Sequence, residues 1–193
     1  MTQSTTIDGV NYGPLAALIG TWKGDKGVDR APEPDGEECN PYYEIITFVA
    51  AGDVTNAEEQ TLAVVNYTQV VSRKSNDKVF HHQVGYWLWD SSDDTIVETF
   101  TIPRAVAVVA GGKLAAPDNF EDELVFSVAA ELGSSEFGIV QAPFMSNKAK
   151  TTAFTHSMTV IGNELRYNET TVLDIYDKRS YDHTDLNTLH RQG

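Results

Sequence analysis

The chain carries one cysteine, Cys39, in 193 residues. A single thiol excludes an intrachain disulfide and a thiolate zinc cluster. Glu37 and Glu38 sit beside it and disfavour a thiolate, so Cys39 reads as an ordinary loop residue. Cations are also scarce: 14 Lys and Arg stand against 28 Asp and Glu, a formal net charge of -14. That balance repels phosphate backbones and anionic headgroups, so no nucleic acid and no membrane surface is expected as a partner. No run is long and apolar enough to span a bilayer, and Met1 to Asp8 lacks the apolar centre of a signal peptide. A cytoplasmic protein is expected. Catalytic signatures are missing too. There is no Gly-x-Ser-x-Gly elbow, no phosphate-cradling glycine loop with Lys, and no His-Glu-x-x-His. The carboxylate pairs Asp93-Asp94 and Glu121-Asp122 fall in expected turns, where such pairs are solvated.

What the sequence does hold is short alternating segments. Leu15, Leu18 and Ile19 fall at helical spacing, predicting a short helix over Pro14 to Ile19 that Gly20 ends. Trp22 then opens a strand in which Gly24 and Gly27 permit a sharp curl. Val28 to Pro41, carrying Pro32, Pro34 and the pair Asp35-Gly36, reads as a long loop, and so does Leu132 to Lys148. Strands rich in aromatic and β-branched residues are expected at Tyr42 to Ala50, Leu62 to Val71, Val79 to Trp89, Thr95 to Ile102 and Arg104 to Ala110. Others are expected at Glu123 to Ala130, Lys150 to Val160, Glu164 to Tyr176 and Thr184 to Arg191. Turn signals at Ala51-Gly52-Asp53, Ser75-Asn76-Asp77, Gly111-Gly112 and Gly162-Asn163 separate them. About ten strands and one helix predict an all-β domain over 1–193, with an N-terminal arm at 1–12. A closed ten-stranded antiparallel barrel is the leading architecture, because closure leaves no long edge exposed, and a sandwich is the alternative.

Histidine is the residue type left to carry chemistry: His81, His82, His156, His183 and His190. In Val79-Phe80-His81-His82-Gln83-Val84-Gly85-Tyr86-Trp87, alternation sets His81 with Gln83 and Trp87, and His82 with Phe80, Val84 and Tyr86. The apolar count favours His82 inward, while a bulge at the pair would present both. His183 lies between Asp182 and Asp185, and an acidic neighbour can hold one ring nitrogen and make the other a better metal ligand. Strict alternation groups His183 with Asp185 and Asn187, so an inward ring is expected to need a turn or bulge at the strand start.

Gly20-Thr21-Trp22 resembles the Gly-x-Trp signature of the calycins, which include lipocalins and fatty-acid-binding proteins. Together with the histidine strand ending Gly85-Tyr86-Trp87 and a histidine leading into the last strand, the order resembles the nitrobindin-like heme-binding β-barrels over most of the chain. That resemblance implies a ten-stranded calycin barrel that binds heme b, with His183 as the axial iron ligand. It places His81, with Phe80 beside it, on the opposite wall and Ile102 at a pocket-facing position of the next strand, while His82 stays a cofactor-binding candidate from the apolar count. It further implies nitric oxide binding and, as an enzymatic role left open, isomerisation of peroxynitrite to nitrate. Departures are Gln83 where an acidic residue is common, Trp87-Leu88-Trp89 in place of a more basic run, and the two long loops. The wider superfamily supplies a second reading, a carrier of an apolar small molecule, and a filled core would make a third, a structural or partner-binding barrel. Homodimer formation stays open.

Overall fold

A computed structural model describes residues 4–114 and 123–193. The expected Glu121-Asp122 turn lies outside the described residues. The chain opens with a two-residue hairpin, β1 (Thr6–Ile7) and β2 (Val10–Asn11), turned over Asp8 and Gly9, both at positive φ. The expected helix is present as a tight 3-10 turn, Gly13–Ala17, with Pro14 in its first turn. It is held from both sides. Trp22 Nε1 donates to the Leu18 carbonyl at 2.6 Å, and Arg191 donates to the Ala17 carbonyl at 2.6 Å and to that of Ile19. The Arg191 guanidinium also lies 4.2 Å over the Trp22 ring.

Ten strands then close on themselves. In chain order they include β3 (Gly20–Glu33), β4 (Gly36–Asn56), β5 (Gln60–Arg73), β6 (Val79–Asp90), β7 (Thr95–Ile102), β8 (Val106–Lys113) and β9 (Leu124–Glu131). After β10 (Ile139–Gln141) and the helix α1 (Pro143–Lys148) come β11 (Ala149–Ile161), β12 (Glu164–Ile175) and β13 (Lys178–Arg191). Sequence neighbours pair antiparallel around the barrel, with β13 on β3 and β8 meeting β9 through Gly111 and Ala129. Near the other end β10 pairs with β8 along Val106 to Val108, while Gly138 bridges to Glu131 of β9. This short strand covers a ladder edge that would otherwise be left unpaired.

Neither expected long loop is one. Val28 to Glu33 and Gly36 to Pro41 are the two arms of the β3–β4 hairpin, paired from Val28↔Pro41 to Glu33↔Gly36. Proline and charge disguised them because their inner positions face a polar cavity: Asp29 is 3% exposed and accepts from Asn40 Nδ2. Residues 132–148 hold β10 and α1, with Pro143 at the start of the helix and Lys148 in its last turn. The turn signal at Ala51-Gly52-Asp53 is instead a bulge inside β4, where Gly52 N–H donates to the Tyr12 hydroxyl at 2.7 Å. The curl expected at Gly24 and Gly27 is present as a register shift between them on β4.

Strand direction gives the barrel two different ends. The 3-10 turn closes the end where β3 and β11 respectively begin and finish. Trp22, Trp87, Ile96, Leu165 and Leu189, each fully buried, form the floor with Leu15 and Leu18. At the other end the barrel is bounded by the β3–β4, β5–β6, β7–β8 and β12–β13 turns and by α1. The interior changes from apolar to polar along this axis.

Candidate functional site

Side chains above the apolar floor form a buried hydrogen-bonded layer. Glu44 accepts from Gln69 Nε2 and Asn187 Nδ2, both at 2.7 Å, and from the Tyr167 hydroxyl at 2.9 Å. Burial nonetheless raises the Glu44 carboxyl above its ordinary range, against the three donors that lower it. On the facing wall Glu98 is fully buried, accepting from the Tyr67 hydroxyl at 2.6 Å and from His156 Nδ1 at 2.8 Å. Burial opposes a charge on His156, but Glu98 and then Glu169 and Glu44 outweigh it and raise the ring to about 9. Burial also pushes Glu169 up to about 7, partly offset by His156.

Over this layer opens a cavity of about 310 Å³. Val71, Phe100, Val106, Val108 and Leu173 supply apolar wall, and Arg73 and Arg104 supply cations. Arg73 lies 4.7 Å over the Phe80 ring, and its Nε is buried without a hydrogen-bond partner among the described residues. Four of the five residues named from the sequence line this cavity: Phe80, His81, Ile102 and His183.

His82 does not. It is exposed, as are Val84 and Tyr86 on the same face, while His81, Gln83, Gly85 and Trp87 point inward. Counting apolar neighbours failed here because the inward face at this height is the hydrogen-bonded one. The bulge lies one residue earlier than expected, at the β5 register shift between Val71 and Ser72 opposite His81 and Val79. It leaves Phe80 unpaired and lets Phe80 and His81 line the cavity together. His81 Nε2 is 3.2 Å from Gln83 Oε1, and burial above all lowers the ring to about 4, so it is neutral at pH 7.

His183 reaches the cavity by simple alternation. The β13 face His183, Asp185, Asn187, Leu189 is the inner one, the pairing with β12 is unbroken along it, and Leu186 points outward. Polarity on that face had argued the reverse. His183 Nε2 lies 2.7 Å from Asp29 Oδ1 and 3.6 Å from Asp185 Oδ2. Burial lowers the imidazole, but the Asp29 hydrogen bond and the charge of Asp185 prevail and the ring is raised above its ordinary value. The ligand atoms of Asp29, His183 and Asp185 all fall within 4.8 Å of one another. Sequence reading named His156 only as one of five histidines, gave it no role, and passed over Asp29, Glu98 and Glu169 as site residues. Of these three, Glu98 had a signal, a carboxylate between Ile96 and Phe100 on one face of a strand.

Among the described residues no helix is long and apolar enough to cross a membrane. No curated protein matches the chain. A solved structure, described as the crystal structure of Rv2717c from M. tuberculosis, shares the fold with a TM-score of 0.67 at 20% identity, over 93% of this chain and 95% of that one. The family model for the THAP4-like, heme-binding beta-barrel domain matches residues 11–191. The ten-stranded barrel with its open, histidine-lined end therefore belongs to the THAP4-like heme-binding β-barrel family.

Proposed function

We propose that the cavity binds heme b with His183 as the axial ligand, Phe80, His81 and Ile102 on the opposing side, and that the loaded protein binds nitric oxide. The observation carrying this reading is His183 itself, an imidazole inside the cavity of a heme-binding-family barrel with a carboxylate on one ring nitrogen. The donor set fits the group. Asp29 holds Nε2 and, among the described residues, no hydrogen bond is made to Nδ1, so the ring can give one nitrogen to a metal while a carboxylate fixes the other. The unpartnered Arg73 Nε and the exposed Arg104 suit the acidic edge of a porphyrin, and the apolar wall suits its face.

Heme b would supply a ferric iron with a coordination position open to a diatomic or peroxide-like ligand. The chain's own residues do the rest. Phe80 and Ile102 narrow the space and exclude water, and neutral His81 offers a hydrogen-bonding ring without adding charge. Peroxynitrite and nitrate contain the same atoms and carry the same charge, so isomerising one to the other consumes no proton or electron. A site without a strong acid suits that reaction, which we assign to the loaded protein. The carrier reading is less well supported, because Asp29, Glu169 and Asp185 all line the cavity and would desolvate poorly against an apolar chain.

Hemin titration of the apoprotein, followed at the Soret band, tests the assignment. Wild type should saturate at one hemin per chain, and His183→Ala should lose the axial-ligand spectrum. No stoichiometric uptake by wild type would end the heme reading, and an unchanged spectrum in His183→Ala would move the ligand elsewhere. For the reaction, the holoprotein should speed decay of peroxynitrite to nitrate beyond an equal amount of free hemin. Equal rates would leave a binding protein.

A further inference from the structure

A continuous line of hydrogen bonds runs from the cavity into the middle layer, and its direction can be worked out from its buried end. Glu98 accepts at both oxygens, from His156 Nδ1 and from the Tyr67 hydroxyl. With both Glu98 oxygens accepting, Tyr67 spends its single hydroxyl proton on Glu98. The Tyr67 oxygen can then only accept, and Gln83 Nε2 lies 2.6 Å away as the donor. That fixes the Gln83 amide: its Oε1 faces His81 Nε2 at 3.2 Å. An amide oxygen only accepts, so the His81 proton sits on Nε2 and Nδ1 keeps its lone pair. Among the described residues no hydrogen bond is made to Nδ1. Tyr67, Gln83 and Glu98 are all buried, so water does not compete for these links.

We infer that Gln83, Tyr67 and Glu98 are positioning residues that lock His81 in the Nε2–H tautomer and leave its Nδ1 as a hydrogen-bond acceptor. The inference does not depend on the proposed heme site. None of the three positioning residues needs to touch a ligand, because their effect is carried by the one ring that lines the cavity.

The decisive experiment on the tautomer uses the apoprotein. Long-range proton–nitrogen correlation spectra at pH 7 report which nitrogen of His81 is protonated. Wild type should show the Nε2–H form in excess by about tenfold or more, the worth of one buried hydrogen bond. Tyr67→Phe and Gln83→Leu should each drop that ratio toward the value of free imidazole. A dominant Nδ1–H form in wild type overturns the inference, and so does a ratio that neither substitution moves. Because the wild-type spectrum alone can overturn it, a variant that fails to fold does not shelter the idea.

Discussion

Individual side chains in this barrel are held at protonation states that differ from those they would have in water, and the consequences for stability have definite signs. His156 titrates near 6.5 unfolded and at about 9 folded. The folded state therefore binds its proton more tightly, and the stabilisation is fully present below about pH 6.5 and lost as pH rises toward 9. His183, also raised, acts in the same direction. His81, lowered to about 4, acts oppositely, but its contribution is complete by about pH 6.5. Glu169, raised to about 7, acts in the imidazoles' direction, and its contribution is lost as pH rises from about 4.5 through 7. Between pH 7 and 9 the imidazoles dominate, and denaturant unfolding should show stability falling by roughly 2–3 kcal/mol. Glu98→Gln removes the carboxylate that raises His156 and should flatten this slope while lowering stability at pH 7. A wild-type stability that stays level from pH 7 to 9 would show that the Glu98–His156 pair is not charged in the folded state.

At the scale of elements, the plug depends on two contacts that a sequence pattern does not reveal. Gly13 sits at φ +50, and a Cβ there would lie 2.3 Å from the Trp89 ring. Gly13→Ala should therefore cost roughly 2–4 kcal/mol, read as a lowered melting temperature, since both the backbone and the ring must move. Arg191 ties β13 to the 3-10 turn through two carbonyls and one indole face, so Arg191→Lys should recover little of what Arg191→Ala loses. Full recovery by Lys would reduce its role to charge. Elements whose inner face is apolar were legible in sequence. Leu62 to Val71 and Thr95 to Ile102 were readable because burial wrote itself into alternation. The β3–β4 arms and the start of β13 were not, because their inner residues are Asp29, His183 and Asp185. The same inversion explains why His82 looked inward when His81 is. Pattern reading treats polar as outward, and a polar site inside a barrel breaks that rule where function resides. His183 and Ile102 came from family resemblance, while their surroundings came only from the fold.

For the whole molecule, the net charge of -14 opposes the ligand its cavity is proposed to hold, because hemin carries two carboxylates. Long-range repulsion should slow encounter, yet Arg73 and Arg104 at the cavity are favourable at short range. The two effects separate by distance. The Debye length is about 30 Å at 0.01 M ionic strength and about 8 Å at 0.15 M, so added salt screens the global field before it screens a cation in contact with the ligand. The rate of hemin uptake in stopped-flow should consequently rise with salt across that range, the reverse of what a basic binding protein shows. Arg104→Glu should lower the rate at both salt concentrations and steepen its rise, because it deepens the repulsion and removes a local attraction. Arg104 is exposed and makes no hydrogen bond or ion pair with the described residues, so the fold should tolerate the change. A rate that falls with salt in wild type and loses that dependence in Arg104→Glu would mean that the cations at the mouth, and not the net charge, govern approach to the barrel.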